Sequence, residues 1–182
     1  GPGGTVVPPP GPGLSEEEEA VMAFDAKSNT VVDAVRALAK GVTSVGLKAI
    51  PEAWPPFWLQ TQSTDLLPAL FLDCTGGPAE ADENPRTLLC RYGIDCYYVA
   101  RWSTTAATNP YEVARNAAEL LLEGIMATEH LGNAALYEQV LITSLPSFAN
   151  RVETLFRDND QPFAACMFSL EVLVLTDRPP RS

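Results

Sequence analysis

The residues able to do chemistry are few, and their spacing limits what they can do. A single histidine, His130, stands in Thr128-Glu129-His130-Leu131-Gly132. One imidazole excludes a two-histidine zinc site and an HExxH helix, and leaves one candidate base for a catalytic triad. Its place, where a helix is expected to end, reads instead as a cation set against the negative end of the helix dipole. The four cysteines, Cys74, Cys90, Cys96 and Cys166, include no CxxC pair. Cys90 and Cys96 share parity on one expected strand and point the same way, roughly 20 Å apart, too far for a disulfide. They read as small buried hydrophobes and not as zinc ligands. The acidic group Asp73, Glu80, Asp82 and Glu83 lacks the Asp/Asn spacing and turn glycine of a calcium loop. Thr75-Gly76-Gly77-Pro78 lacks the lysine and following helix of a phosphate site, and no GxGxxG, GxSxG or Walker-type motif occurs. No residue is therefore expected to be catalytic, to hold a metal or to bind a cofactor.

Composition narrows the classes further. With 12 Lys and Arg against 23 Asp and Glu, the chain carries a formal charge of -11. Sequence-independent affinity for nucleic acid comes largely from counterion release by basic side chains, so this surplus argues against a direct reader. The apolar share, 46% of 182 residues, is that of an ordinary globular protein. A chain of this length buries roughly 70% of its unfolded surface and needs no covalent staple. Residues 1–15 carry no charge but are mainly Gly and Pro, and a membrane span needs about 20 apolar helical residues. No membrane segment is expected.

These residues must be positioned by the elements around them. Residues 1–14 are an extended Gly/Pro arm, because Pro lacks the donor N–H and Gly loses most backbone entropy on ordering. The arm starts on Gly and not Met, as a processed start or an added scar would. It is expected to be held by a neighbouring protein. Ser15 and Glu18 form a capping box within the run Glu16, Glu17, Glu18 and Glu19. The helix they open is interrupted or restarted at Ser28-Asn29-Thr30, then carries the stripe Val31, Val32, Val35, Leu38 and Ala39 to a C-cap at Gly41. Residues 51–65 hold Trp54, Phe57 and Trp58 among prolines with neither helical nor strand periodicity. Such aromatics either fold back on the core or anchor another protein.

Residues 67–73 read as a short buried strand and residues 74–85 as an exposed loop of turn formers. Residues 86–102 alternate. Leu88, Cys90, Tyr92, Ile94, Cys96, Tyr98 and Ala100 form the core face, and the other face becomes apolar at Tyr97 and Val99. That end is expected to be covered on both sides, by a helix or by a second subunit. Asn109-Pro110-Tyr111-Glu112 opens a helix of about 20 residues ending near Gly132. Its buried stripe is Val113, Ala117, Leu120, Leu121 and Ile125, with Ala114, Ala118 and Leu122 as further candidates. Strands follow over 139–143, 151–156 and 163–176, with Asp158-Asn159-Asp160 as a turn in a C-terminal hairpin. The fold class is α+β: a mostly antiparallel sheet of about four to five strands packed against helices, with an extended N-terminal arm. The division is an arm over 1–14, a single domain over 15–176 and a tail over 177–182.

The segments Leu67-Pro68-Ala69-Leu70-Phe71-Leu72-Asp73 and Tyr92-Gly93-Ile94-Asp95-Cys96-Tyr97-Tyr98-Val99, the Asn109-Pro110 helix, and Phe168-Ser169-Leu170-Glu171-Val172-Leu173-Val174 follow one another in an order that resembles the tail-terminator proteins of long-tailed bacteriophages. The resemblance spans about residues 66–175; the long arm and the aromatic loop depart from it. It implies a structural virion protein at the neck, the head–tail junction, assembled in the host cytoplasm. Such a protein forms a homo-oligomeric ring, usually a hexamer, that caps the tail tube and joins it to the head connector or stopper. DNA passes through the lumen without specific binding, and no cofactor, catalysis or membrane is involved. On this reading Trp54, Phe57, Trp58, Tyr97 and Val99 are interface residues. Glu80, Asp82 and Glu83, and also the Glu16 to Glu19 run, are candidates for the lumen, where like charge repels phosphates. Two alternatives stay open: another neck protein such as a stopper or adaptor, and a small soluble enzyme or ligand-binding domain with a pocket beneath the Trp54-Phe57-Trp58 loop. A monomer with a deep pocket would mark the latter, a ring without one the former.

Overall fold

The computed structural model describes residues 27–52, 64–101, 109–148 and 163–177. The arm, the capping box at Ser15, the aromatic loop with Trp54, Phe57 and Trp58, the expected strand 151–156 with the turn at Asp158-Asn159-Asp160, and the tail beyond Asp177 lie outside them. Two helices, α1 (Ser28–Lys40) and α2 (Pro110–Met126), pack on a sheet of β1 (Ala69–Ala81), β2 (Thr87–Arg101), β3 (Tyr137–Phe148) and β4 (Phe163–Asp177). The sheet order is β1-β2-β4-β3, and every neighbouring pair is antiparallel. This is the expected α+β architecture.

Alternation builds the core. Leu70 and Leu72 from β1, Tyr92, Ile94, Cys96 and Tyr98 from β2, and Cys166, Phe168, Leu170, Val172 and Val174 from β4 point at the helices. The helices answer with Val31, Val32, Val35 and Ala39 from α1, and Ala114, Ala118, Leu121, Leu122 and Ile125 from α2. Two tyrosine hydroxyls fix the start of α1: that of Tyr92 accepts from Lys27 N at 3.1 Å, and that of Tyr137 donates to Thr30 O at 3.3 Å. The opposite face has a smaller buried cluster at one end, Leu67, Ala69, Phe71, Val99, Phe163 and Ala165.

Several expectations need correction. The strand at 67–73 runs on to Ala81, through the segment expected to be a loop. A bulge between Gly76 and Ala79 absorbs Pro78, and the strand is at an edge, where a missing donor costs no ladder bond. Gly41 is the C-cap of α1, as expected, in the right-handed region, and a left-handed glycine follows five residues on at Gly46. Helix α2 has 17 residues and ends at Met126, well before Gly132. His130 is therefore outside its last turn. It begins three consecutive left-handed residues, His130, Leu131 and Gly132. Each non-glycine there costs roughly 1–2 kcal/mol, offset by burial of Leu131 in the core and by the His130 Nδ1–H bond to Tyr137 O at 2.9 Å. The stripe of α2 is also turned: Val113 and Leu120 are 48% and 45% exposed.

Gly124 has a packing reason to be in a helix. A Cβ on it would overlap Val42 Cγ2, on the segment that leaves α1. Alanine should gain about 1 kcal/mol of helix propensity, yet overpacking against a stiff branched side chain costs about 1–3 kcal/mol. Gly124→Ala is expected to lower stability in thermal unfolding, and adding Val42→Ala to recover it. A stabilised Gly124→Ala single variant would show that α2 and residue 42 are not in contact.

Candidate assembly surfaces

Every edge of an open sheet presents backbone donors and acceptors that must be paired, hydrated or covered. The edge at β1 is half covered. Residues 48–52 run parallel to its first residues, with Leu70 N donating to Ala49 O at 3.0 Å and Leu72 N to Pro51 O at 2.9 Å. Arg36 of α1 steadies this segment, its Nε donating to Ile50 O at 2.9 Å. Residues of the same parity, Cys74 and Gly76, continue that outward row, and among the described residues nothing takes up their N–H groups. At the other edge β3 has β4 on one side and, among the described residues, no strand on the other. Three register shifts break its alternation. Leu141 and Ile142, whose register with β4 is unbroken, and Leu145, within the last of the shifts, are exposed, Leu145 at 68%. At its far end Phe148 lies edge-on to Tyr111, with centroids 4.6 Å apart, and under the Arg115 guanidinium at 5.2 Å.

The sheet face away from the helices carries a polar band. Register places Asp73 beside Asp95, and Asp95 beside Ser169, whose hydroxyl donates to Asp95 Oδ1 at 2.6 Å. Burial first, then the charges of Asp95 and Asp73, pushes the Tyr97 phenol up, so it stays protonated. Next along the band Arg91 bridges Glu171 at 2.9 Å and Glu80 at 3.4 Å. These are structural pairings across strands. Ser169 has a carboxylate acceptor but no imidazole, since His130 is committed to Tyr137 O. Among the described residues, no group of three or more His, Cys, Asp and Glu side chains is placed to hold a metal, and no helix is long and apolar enough to cross a membrane.

The residues singled out from sequence fall in different places. Trp54, Phe57 and Trp58 lie outside the described residues. Val99 is fully buried in the chain's own second cluster, and Tyr97 is half-buried at its margin. Glu80 is on the free half of β1 and already paired with Arg91. Asp82 and Glu83 are in the turn joining β1 to β2. There the Thr87 hydroxyl donates to Asp82 Oδ2 at 2.8 Å, and this bond, followed by the Glu83 N–H, holds the Asp82 carboxyl below the usual range. All four cysteines are free, and only Cys74 is more than slightly accessible. Burial, then Glu52 and Asp73, raises the Cys74 thiol, while burial pushes Cys166 up to about 11.

Sequence reasoning missed the β3 edge. Its signal is Pro146 within an otherwise strand-like run, since proline in a sheet marks an edge; Pro78 gives the same sign for β1. No family model matches the chain, and no curated protein matches it either.

Proposed function

We propose that this chain is a structural protein of the neck of a long-tailed bacteriophage, a ring-forming tail terminator that caps the tail tube and joins it to the head connector. The observation that supports the reading is where its resembling segments fall. Leu67 to Asp73 lead into and begin β1, Tyr92 to Val99 form the middle of β2, Asn109-Pro110 caps α2, and Phe168 to Val174 form the middle of β4. The three strand segments are thus neighbours in one sheet, and the Asn109 side chain accepts from Tyr111 N at 3.0 Å to start the helix. A structural role also suits the polar band, whose carboxylates and Arg91 are engaged with one another across strands.

The ring would close around DNA, and the acidic surplus suits a conduit that repels phosphates without binding them. Asp82, with its carboxyl held below the usual range, keeps its charge through mildly acidic conditions. The test is native mass spectrometry of the full chain with electron microscopy of the same sample. A closed ring, six subunits by the resemblance, is the expected result. A monomer at every concentration would refute the reading. A ring that leaves tube subunits polymerising freely in vitro would transfer it to another neck protein.

A further inference from the structure

We infer that subunits of this ring join edge to edge, with β3 of one copy pairing antiparallel to the free half of β1, residues 74–81, of the next. This rests on the ring reading and specifies its contact. The two edges differ and lie on opposite sides of one sheet, and a contact between two different patches is the kind that generates rings. Strand direction agrees. Because β1, β2, β4 and β3 alternate in direction, a rotational copy placed beside β3 presents a β1 that runs antiparallel to it. The backbone groups agree too. The outward row of β1 is used by residues 49 and 51 up to Leu72 and then stops, leaving Cys74 and Gly76 as donors without partners among the described residues.

The side chains are complementary in shape. The free half of β1 is low, with Gly76, Gly77 and Ala79, while β3 projects Leu141 and Ile142, 37% and 42% exposed. They also stand level. Ile142 pairs with Leu170, Leu170 with Ile94, and Ile94 with Cys74, so Ile142 and Cys74 end the same row on the same face. In a ring whose strands run along the axis, Ile142 of one copy meets Cys74 of the next.

The native thiol makes the contact measurable. Within one chain, Ile142 and Cys74 are three inter-strand spacings apart, about 14 Å, so a bismaleimide shorter than this links them only between copies. Cys90, Cys96 and Cys166 are buried and unavailable. Ile142→Cys in the full chain is expected to give a ladder of linked subunits on a denaturing gel, lost in Ile142→Cys/Cys74→Ser. If Ile142→Cys does not fold, exposed Thr143→Cys takes its place. A ring seen by native mass spectrometry whose subunits give no Cys74-dependent ladder would overturn edge pairing and leave the ring reading standing. Absence of a ring in the unmodified protein would overturn both.

Discussion

Replacing Phe168 by alanine is expected to lower the unfolding free energy by about 3–5 kcal/mol. The residue has no exposed surface and sits on β4, a central strand flanked by β2 and β3. Its side chain points at the helices beside Cys96, its partner in register. Here relaxation is least able to fill a void, because β4 is held on both sides and α2 packs more on β4 than on any other strand. Removing the ring therefore costs both the transfer term and the cavity. Urea denaturation should show a lower midpoint with the same slope, since the surface exposed on unfolding hardly changes. A loss below about 1.5 kcal/mol, the range of a conservative core swap, would mean that the two layers do not meet at this residue.

The sequence makes some of these elements plain and hides others for physical reasons. Alternation on β2 is legible because both its neighbours are strands and one of its faces is wholly core, so Leu88 to Tyr98 repeat without interruption. Local cap chemistry is legible at Asn109, where side chain and proline act within one turn. The outer half of β1 is not. Gly76-Gly77-Pro78 has turn composition, and what keeps the chain in the strand is pairing with β2 on either side of the bulge, Gly76 with Tyr92 and Ala79 with Cys90, partners outside any local window. His130 is misread for a related reason: the left-handed turn it starts is stabilised by Leu131 entering the core and by Tyr137 seven residues on. The assembly surface is hidden most. Which strand becomes an edge depends on sheet order, and the run Val140-Leu141-Ile142, in unbroken register with β4, is apolar at every position and so shows no period-two contrast between faces.

The rotation of α2 gives the sharpest contrast between adjacent residues. The expected stripe includes Val113 and Leu120, yet both are about half exposed, while Ala114 and Ala118 are buried. Two alanines on the inner face let the helix axis approach the sheet closely, and Leu121, Leu122 and Ile125 then fill the space beyond them. The Gly124 contact with Val42 holds this orientation, because the flank that includes Gly124 is taken by the segment leaving α1. Leu121→Ala is accordingly expected to cost about 2–5 kcal/mol, whereas Leu120→Ala should cost less than about 1 kcal/mol, near the range of surface changes. Chemical denaturation at a concentration where the protein is monomeric separates them. Equal losses at 120 and 121 would return the helix to the orientation of the expected stripe, which buries both. If Leu120→Ala is neutral in the monomer but weakens the assembled particle, the exposed flank of α2 is covered by a neighbouring protein, and its apolar character belongs to assembly and not to folding.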